Sequence, residues 1–257
     1  MGRLTRRALG VLAAGAAAAS VGAAHAAPRR RNLTFVLVHG AWHGGWCWER
    51  VAARLQARGH RVYAPTLTGL GERSHLISPA INLDTHIADV TGELRWKDLQ
   101  GVTLVGHSYG GMVITGVVER APERIASIVY LDAFLPQSGQ SLNDMVGFVS
   151  GGGADPVAPI FSAEATMVNL ADRAWVDAQF TPQSAASFSQ KLTHTNAYDR
   201  VARKTYIRPI DFPSPFSDAV CAPLRQDPSW RVHDIRGCGH DVMIDKPAEL
   251  ARLLEAA

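Results

Sequence analysis

The serine at position 108 has the surroundings of a catalytic nucleophile. It lies in the segment Gly106-His107-Ser108-Tyr109-Gly110, a G-x-S-x-G pattern that follows an apolar run and precedes a helical pattern. A serine on a sharp strand-to-helix turn presents its hydroxyl at the edge of a sheet, and side chains at the two glycine positions would collide with neighbouring elements. The pattern therefore predicts that Ser108 attacks a substrate carbonyl.

His240 is the predicted base for this serine. A serine hydroxyl is a poor nucleophile at neutral pH unless a histidine takes its proton and a carboxylate orients that histidine. His240 lies in a Gly-flanked turn after the last predicted strand and before the final helix. In folds with this kind of serine turn, the histidine follows the serine and the acid in the chain. We expect His107 and His233 to be packing or surface residues, and His39 and His43 to shape a loop.

The elements that position these residues alternate between strand and helix. Short apolar runs, continuous as in buried parallel strands, predict strands at Leu33–Val38, Arg61–Ala64, Val102–Val105, Ile125–Leu131, Thr205–Ile207 and Trp230–Ile235. Apolar residues at helical spacing predict helices around Val51–Leu55, Leu83–Leu94, Gly111–Glu119 and Ala248–Leu254. The predicted fold is α/β, a mainly parallel sheet of about six core strands flanked by helices.

The alternation is interrupted between Pro136 and about Arg203. This stretch has no strand signal, and its helix-like parts are Ala163–Asn169, Ala171–Phe180 and Ser184–Leu192. We interpret it as a helical cap, inserted at about 136–203, over the edge of the sheet where ligands bind in open α/β folds. A disordered loop is the alternative, disfavoured because four apolar residues need burial: Met167, Leu170, Trp175 and Phe180.

Three motifs carry a family resemblance. They are the stretch from Val36 to Trp46 (VLVHGAWHGGW), the serine turn, and Gly237-Cys238-Gly239-His240. With the strand order they resemble the α/β-hydrolase fold, and within it the compact plant methylesterase and hydroxynitrile-lyase family with its bacterial esterase relatives. The resemblance covers nearly all of residues 27–257 and implies one α/β-hydrolase domain there.

The acid that orients His240 has alternative positions. Asp132 ends the fourth predicted strand, in a segment that resembles the haloalkane dehalogenases, which carry their acid after that strand. The plant relatives carry it one strand later, where Asp211 falls one residue short of the expected position and Phe212 occupies it. We favour Asp132, with Asp211 as the alternative and Asp218 as a distant third.

An ester hydrolase of this kind also needs an oxyanion hole. Its two backbone N–H donors come from the residue after the nucleophile and from the loop after the first core strand, here Tyr109 and Ala41. Gly40 and Trp42 are predicted to contact the substrate. We expect three glycines to let this loop approach the substrate closely: Gly40, Gly44 and Gly45. Three aromatic residues are candidates for pocket walls or for core packing: Trp42, Trp46 and Tyr109.

Departures from the family pattern narrow the chemistry. The hydroxynitrile lyases need a threonine in the oxyanion loop and a lysine after the catalytic histidine, where this chain has Gly40 and Asp241. Ser108 excludes dehalogenase chemistry, which needs an aspartate nucleophile. The sequence contains no H-E-x-x-H motif, no Cys/His pair at ligand spacing and no dinucleotide fingerprint, so we predict neither a metal nor a cofactor.

The first 26 residues have the pattern of a signal peptide. Three arginines precede an Ala-rich apolar run, and Ala24-His25-Ala26 fits an A-x-A cleavage site. Thr5-Arg6-Arg7-Ala8-Leu9 resembles a twin-arginine export signal. We predict cleavage near Ala26 and a protein that is exported, periplasmic or secreted, and not held in a membrane. An uncleaved membrane anchor is the alternative.

Charge and cysteine content limit the partners. Without the three N-terminal arginines, basic and acidic residues balance at 23 each, so nothing supports a nucleic-acid or anionic-membrane partner. In an exported protein Cys221 and Cys238 could form a disulfide or remain thiols. The sequence does not indicate an oligomeric state.

These observations predict a cofactor-free serine carboxylesterase. The family resemblance implies small to medium apolar esters, including aryl or methyl esters, as its substrates. Related lyase or perhydrolase chemistry at the same site is one alternative. A homologue that binds a small ligand without turnover is another, and the intact set of serine, histidine and acid argues against it.

Overall fold

The strands form one parallel sheet. The computed structural model describes residues 32–147 and 155–257. Its strands are β1 (Thr34–Val38), β2 (Arg61–Tyr63), β3 (Val102–His107), β4 (Ile125–Leu131), β5 (Arg203–Pro209) and β6 (Trp230–Ile235). Their order is β2-β1-β3-β4-β5-β6, with every neighbouring pair parallel. The predicted α/β-hydrolase architecture and all six strand positions are confirmed.

β5 is longer than the sequence predicts. Its charged residues Arg203, Lys204 and Arg208 obscure the apolar pattern, yet all three belong to the strand. The strand pairs with β4 on one side and β6 on the other. Backbone pairing on both sides extends the strand through residues whose side chains alone do not predict it.

Helices cover both faces of the sheet. They are α1 (Glu49–Ala57), α2 (Leu83–Trp96), α3 (Gly110–Arg120), α4 (Leu142–Val146), α5 (Arg173–Gln179), α6 (Ala185–Ser189), α7 (Pro215–Leu224), α8 (Val242–Asp245) and α9 (Pro247–Ala256). The predictions of α1, α2, α3 and α9 are confirmed. α2 begins with a capping box, in which the Asn82 side chain accepts from the Thr85 N–H at 3.0 Å and Thr85 Oγ1 accepts from the Asn82 N–H at 3.3 Å.

Alternate residues of the central strands enter two separate cores. In β1, Val36 and Val38 pack into the core that contains α2 and α3, whereas Phe35 and Leu37 pack into the core that contains α1 and α9. All four side chains are fully buried. Because side chains alternate along a strand, burial on both faces explains the continuous apolar runs in the sequence.

The cap region is partly helical. Between Pro136 and Arg203 it contains α4, α5, α6 and a short 3-10 helix, Ala197–Arg200. The helix predicted for Ala163–Asn169 is wrong: residues 163–167 form turns, and Met167 has a φ of +61°, which a right-handed helix does not allow. The expected burial of Met167 and Leu170 is also wrong, since their exposed fractions are 42% and 82%. Trp175 and Phe180 pack against the core.

Some sequence predictions fall outside the described residues. The predicted signal peptide, residues 1–26, lies there, as does the glycine run Gly151-Gly152-Gly153 of the cap. Within residues 32–147 and 155–257, no helix is long and apolar enough to cross a membrane.

The strand order brings two loops together at one edge of the sheet. β1 lies between β2 and β3, so the chain leaves β1 toward one side of the sheet and reaches β3 on the other. Such a reversal creates a crevice at the carboxyl ends of the strands, where ligands bind in open α/β folds. The loop after β1 and Ser108 after β3 meet at this crevice.

Candidate active site

Ser108 lies on a strained turn between β3 and α3. Its φ is +52°, in the left-handed region that non-glycine residues rarely adopt. A Cβ at Gly106 would lie 2.6 Å from the Gly110 carbonyl oxygen, and one at Gly110 would lie 2.8 Å from the Val38 carbonyl oxygen. Both positions require glycine because other backbone segments occupy the space that a side chain would need.

Asp132 and His240 are brought together from distant parts of the chain. His240 Nδ1 lies 2.6 Å from Asp132 Oδ2, and the carboxylate is buried. Asp132 follows β4 directly and has a φ of +42°, while its backbone N–H donates to the Ile207 carbonyl at 2.8 Å. The Nδ1 proton of His240 thus points at Asp132, which leaves Nε2 as the atom that can accept a proton.

The electrostatics of His240 combine two opposing effects. Burial opposes protonation of the ring, but the hydrogen bond and the charge of Asp132 outweigh it, so the pKa of His240 is raised above its ordinary value of 6.5. A histidine held in this way takes up a proton readily and stabilises the imidazolium that results.

The other two candidate acids lie elsewhere. Asp211 Oδ2 accepts from the Gly237 N–H at 2.7 Å, and its Oδ1 is 3.3 Å from Arg236 Nη1. Asp218 pairs with Arg208 at 3.0 Å and is largely exposed. Of the three aspartates weighed from the sequence, the structure brings only Asp132 to His240.

A buried arginine lies next to Asp132. Arg208, near the end of β5, is 2% exposed, and its Nη1 is 3.6 Å from Asp132 Oδ1. Its other donors bind Asp218 and the Phe212 carbonyl. The guanidinium places a positive charge beside this buried carboxylate. Sequence reasoning missed this residue, although a charged residue in an otherwise apolar strand was a usable signal.

The loop after β1 presents two backbone donors together with the serine turn. Within the described part of the chain, the N–H groups of Ala41 and Tyr109 donate to no protein acceptor. His39 Nδ1 donates to the Gly40 carbonyl at 2.8 Å, while His39 Nε2 accepts from the Leu67 N–H at 3.0 Å. Burial lowers the pKa of His39 to about 3, so the ring is neutral. His39 thereby fixes the peptide plane that carries the Ala41 N–H, the loop-shaping role expected of it.

The glycines of this loop approach protein rather than substrate. A Cβ at Gly40 would lie 2.9 Å from His107 Nδ1 and 3.0 Å from the Ser108 Cβ. At Gly44 it would meet the Trp46 ring, and at Gly45 the Ala64 carbonyl. None of these three glycines lines the cavity at Ser108 and His240. The predicted substrate contact of Gly40 is replaced by close packing against the nucleophile turn.

A cavity of about 330 Å³ opens onto Ser108 and His240. Its walls come from the oxyanion loop, the cap, and the segment around the start of α7. They consist of Ala41, Trp42, Ser108, Tyr109, Asp132, Phe134, Leu142, Val146, Ile160, Phe161, Ala165, Thr166, Phe212, Pro213, Ser214, Pro215, Phe216, Ser217 and His240. No lysine or arginine is among these lining residues.

Aromatic rings shape this cavity. Phe212 stacks on His240 with ring centroids 5.4 Å apart, and Phe134 packs on Phe216 at 4.4 Å. Trp42 and Tyr109, for which the sequence left a pocket wall and core packing open, line this cavity, whereas Trp46 packs against Trp175 outside it. Sequence reasoning missed Phe134 and Phe216 as pocket residues, because nothing in their local pattern separates a pocket wall from the core.

Two further histidines act as supports. His107 donates from Nε2 to the His240 carbonyl at 3.1 Å, and burial lowers its pKa well below the ordinary value. His86 donates from Nε2 to the Thr68 carbonyl and accepts from the Tyr109 hydroxyl at 2.8 Å. Both rings hold the backbone or side chain of a site residue.

The cysteines of this protein are not paired with one another. All three cysteines are buried free thiols, so the disulfide between Cys221 and Cys238 that the sequence left open does not form in this structure. Among the residues the structure describes, no group of three or more His, Cys, Asp or Glu could hold a metal ion.

Comparison with known proteins finds hydrolases similar to this chain. Residues 35–253 match the model of the Alpha/beta hydrolase family. The chain is 43% identical over 241 residues to the Carbendazim hydrolyzing esterase of Nocardioides sp. (strain SG-4G), which covers 86% of this chain and 98% of that protein. It is 32% identical over 155 residues to Methylesterase 1 of Arabidopsis thaliana, covering 60% and 52%.

A solved structure supports the same placement. An extracellular alpha/beta-hydrolase from a Paenibacillus species, described as sharing structural and functional homology with Tobacco Salicylic Acid Binding Protein 2, superposes with a TM-score of 0.71. The two chains are 26% identical, and the match covers 88% of this chain and 98% of that one.

Proposed function

Because this chain belongs to the alpha/beta hydrolase family, we propose that it hydrolyses carboxylic esters through Ser108, His240 and Asp132. Its relatives include a bacterial esterase at 43% identity over most of the chain and plant methylesterases, and the chain is accordingly a carboxylic ester hydrolase. The observation that carries the assignment of residues is the contact of 2.6 Å between His240 Nδ1 and Asp132 Oδ2, at the cavity that Ser108 also lines.

The first half of the proposed mechanism forms an acyl-enzyme. His240 Nε2 takes the proton of Ser108 Oγ as the oxygen attacks the ester carbonyl carbon. The carbonyl oxygen gains the negative charge and accepts from the Ala41 and Tyr109 N–H groups. Collapse of this intermediate breaks the bond to the alcohol oxygen, and the alcohol leaves with the proton held by His240.

The second half restores the enzyme. His240 Nε2 takes a proton from water, whose oxygen attacks the acyl carbon, and the same two N–H groups bind the new oxyanion. Ser108 then leaves with the proton from His240, and the carboxylic acid is released. Asp132 keeps the Nδ1 proton of His240 in place and stabilises the imidazolium in both halves.

The cavity supports small to medium apolar esters as substrates. Its volume of about 330 Å³ is at the lower end of the usual range for ligand pockets. Most of the lining residues are apolar, and no lysine or arginine that could bind a carboxylate is among them. An aryl or methyl ester without charge matches these walls in size and polarity.

Hydrolysis of a p-nitrophenyl ester series by the chain from Ala27 onward tests this proposal. The wild-type protein is expected to turn over the short esters, and Ser108→Ala to lose turnover by about 10⁴-fold or more. If both proteins were inert and a phosphonate probe failed to label Ser108, a ligand-binding protein without turnover would replace the esterase.

Export of the protein is a separate proposal. It is supported by the paired Arg6 and Arg7, the apolar run that follows them and the small residues up to Ala26. N-terminal sequencing of protein exported by its host is expected to start near Ala27. An intact N-terminus would contradict cleavage.

A further inference from the structure

The residue after His240 is a buried carboxylate that the mechanism does not use. Asp241 is 0% exposed. Thr166 Oγ1 donates to its Oδ2 at 3.1 Å, and His43 Nε2 lies 3.1 Å from its Oδ1. A carboxylate buried this deeply requires a cation or several donors, since burial of an unpaired charge is costly. His43 is the nearest cationic candidate.

The contacts of His43 constrain the position of its ring protons. Nδ1 lies 2.7 Å from the Ala41 carbonyl oxygen, which can only accept, so Nδ1 carries a proton. Nε2 lies 3.1 Å from Asp241 Oδ1, and among the described residues neither of these two buried atoms has a hydrogen-bond partner. A second ring proton, on Nε2, would place a cation beside this buried carboxylate.

The two contacts of His43 join separate parts of the site. On one side is Ala41, whose N–H is a proposed oxyanion donor; on the other is Asp241, covalently next to His240. We propose that His43 and Asp241 form a buried imidazolium–carboxylate pair that positions the oxyanion loop against the segment carrying the catalytic base. The inference rests on the proposed function for its effect on turnover, but the pair itself does not.

The surroundings of the pair are compatible with this charge distribution. Burial works against the ionised form of Asp241, but His43, His107 and His240 together outweigh it and hold the pKa of that carboxyl below its ordinary range. His107 Nε2 is 3.9 Å from Asp241 Oδ1 and already donates to a carbonyl. The other titratable neighbours are His39, which is neutral, and the Cys47 thiol, whose pKa burial raises.

The aromatic contacts hold His43 in place. Its ring stacks on Trp46 at 5.3 Å and 13°, and Phe180 from the cap packs edge-on at 4.8 Å. A cation over an aromatic face gains further stabilisation, most of all with tryptophan. His43 and Asp241 are positioning residues here, because neither lines the cavity.

The protonation state of His43 is the first test. In protein labelled with ¹⁵N-histidine, the ring nitrogens of His43 are expected to show the imidazolium pattern near neutral pH, and Asp241→Asn to convert them to a neutral ring. The His43→Asn variant assigns the signals by their loss. A neutral His43 in the wild-type protein would overturn the proposal, whether or not the protein hydrolyses esters.

The chain offers a matched control in His60. Its Nε2 lies 2.9 Å from Glu255 Oε1, but its Nδ1 accepts from the Leu33 N–H, so one ring proton satisfies both contacts. We expect the ring signals of His60 to be unchanged by Asp241→Asn. The Glu255→Gln variant, which alters a histidine–carboxylate pair away from the cavity, is expected to leave kcat unchanged.

A double-mutant cycle on turnover is the second test. Asp241→Asn and His43→Asn are each expected to lower kcat, with KM little changed, by less than the roughly 10²–10³-fold that loss of an oxyanion donor causes. The combined variant should lose less than the product of the two single effects, because the partners act as one unit. Independent losses, or an unchanged kcat in Asp241→Asn, would overturn the proposal.

Labelling with a phosphonate distinguishes a failure of the ion pair from a failure of the proposed function. Labelling of Ser108 by a phosphonate is expected in the wild-type protein and, more slowly, in both single variants. Absence of labelling in the wild-type protein would count against the esterase, while the NMR result on His43 would still decide the ion pair.

Discussion

The role of Asp132 depends on one contact, the hydrogen bond to His240 Nδ1. Asp132→Asn is expected to lower kcat by about 10³–10⁴-fold, because an amide permits the wrong tautomer of the histidine and cannot stabilise its cation. Asp211→Asn is the matched control, since among residues 32–147 and 155–257 Asp211 pairs with Gly237 and Arg236 and not with His240. Steady-state kinetics on a p-nitrophenyl ester check both, and a collapse of kcat in Asp211→Asn with near-normal turnover in Asp132→Asn would reverse the assignment.

The raised pKa of His240 makes a prediction for the pH dependence of catalysis. The base must be neutral to accept the Ser108 proton, so kcat/KM is expected to fall as the pH decreases through the His240 pKa, with the inflection above 6.5. Asp132→Asn removes the interaction that raises this pKa, so the residual activity should show its inflection at lower pH. A profile with the same inflection in both proteins would contradict the role of Asp132.

At the scale of the elements, two glycines in helices test the packing that positions Ser108. One has no space for a side chain, and the other has. A Cβ at Gly111, in the first turn of α3, would collide with the Phe134 carbonyl, whereas one at Gly92 in α2 would meet only the Trp96 ring at 3.9 Å. Gly111→Ala is therefore expected to destabilise the protein by about 1–3 kcal/mol. Gly92→Ala should stabilise it by about 0.5–1 kcal/mol, since alanine favours helix.

Urea unfolding midpoints of the two variants provide the measurement. The two variants are expected to shift the midpoint in opposite directions, so the sign of each shift is decisive. A stabilised Gly111→Ala variant would show that α3 does not pack against the segment after Asp132 as described.

Elements with regular patterns could be predicted from the sequence, and irregular ones could not. The strands before Ser108 and Asp132 have continuous apolar runs because helices bury both of their faces. In the cap, the turn at Met167 depends on a left-handed backbone conformation that no glycine or asparagine marks. The helices α7 and α8 were also missed: α7 begins at Pro215 and contains Pro223, which obscures a helical pattern, and α8 is only four residues long.

The site could be predicted only where a local pattern in the sequence marks the residue. Ser108 and His240 follow from local motifs at strand ends, and Asp132 from its position directly after β4. Arg208 and the pair of His43 with Asp241 were missed because their partners are far apart in sequence. Only the folded chain shows that these charges lie together.

For the molecule as a whole, the cavity predicts discrimination by substrate charge. Its lining residues include no lysine or arginine, so an ester that carries a carboxylate gains no ion pair and loses hydration on entry. Uncharged aryl and short alkyl esters are expected to have a higher kcat/KM than carboxylate-bearing esters of equal size. Paired substrates that differ only in a terminal carboxylate and a terminal methyl ester make the comparison, and a preference for the acid would contradict it.

We propose that Ser108 carries the acyl group during ester hydrolysis. Mass spectrometry of the intact protein, quenched during turnover of a slow p-nitrophenyl ester, measures this directly. We expect a mass increase of one acyl group, located by peptide mapping at Ser108 and absent in Ser108→Ala. Turnover by the wild-type protein without an adduct, or an adduct that persists in Ser108→Ala, would contradict this role.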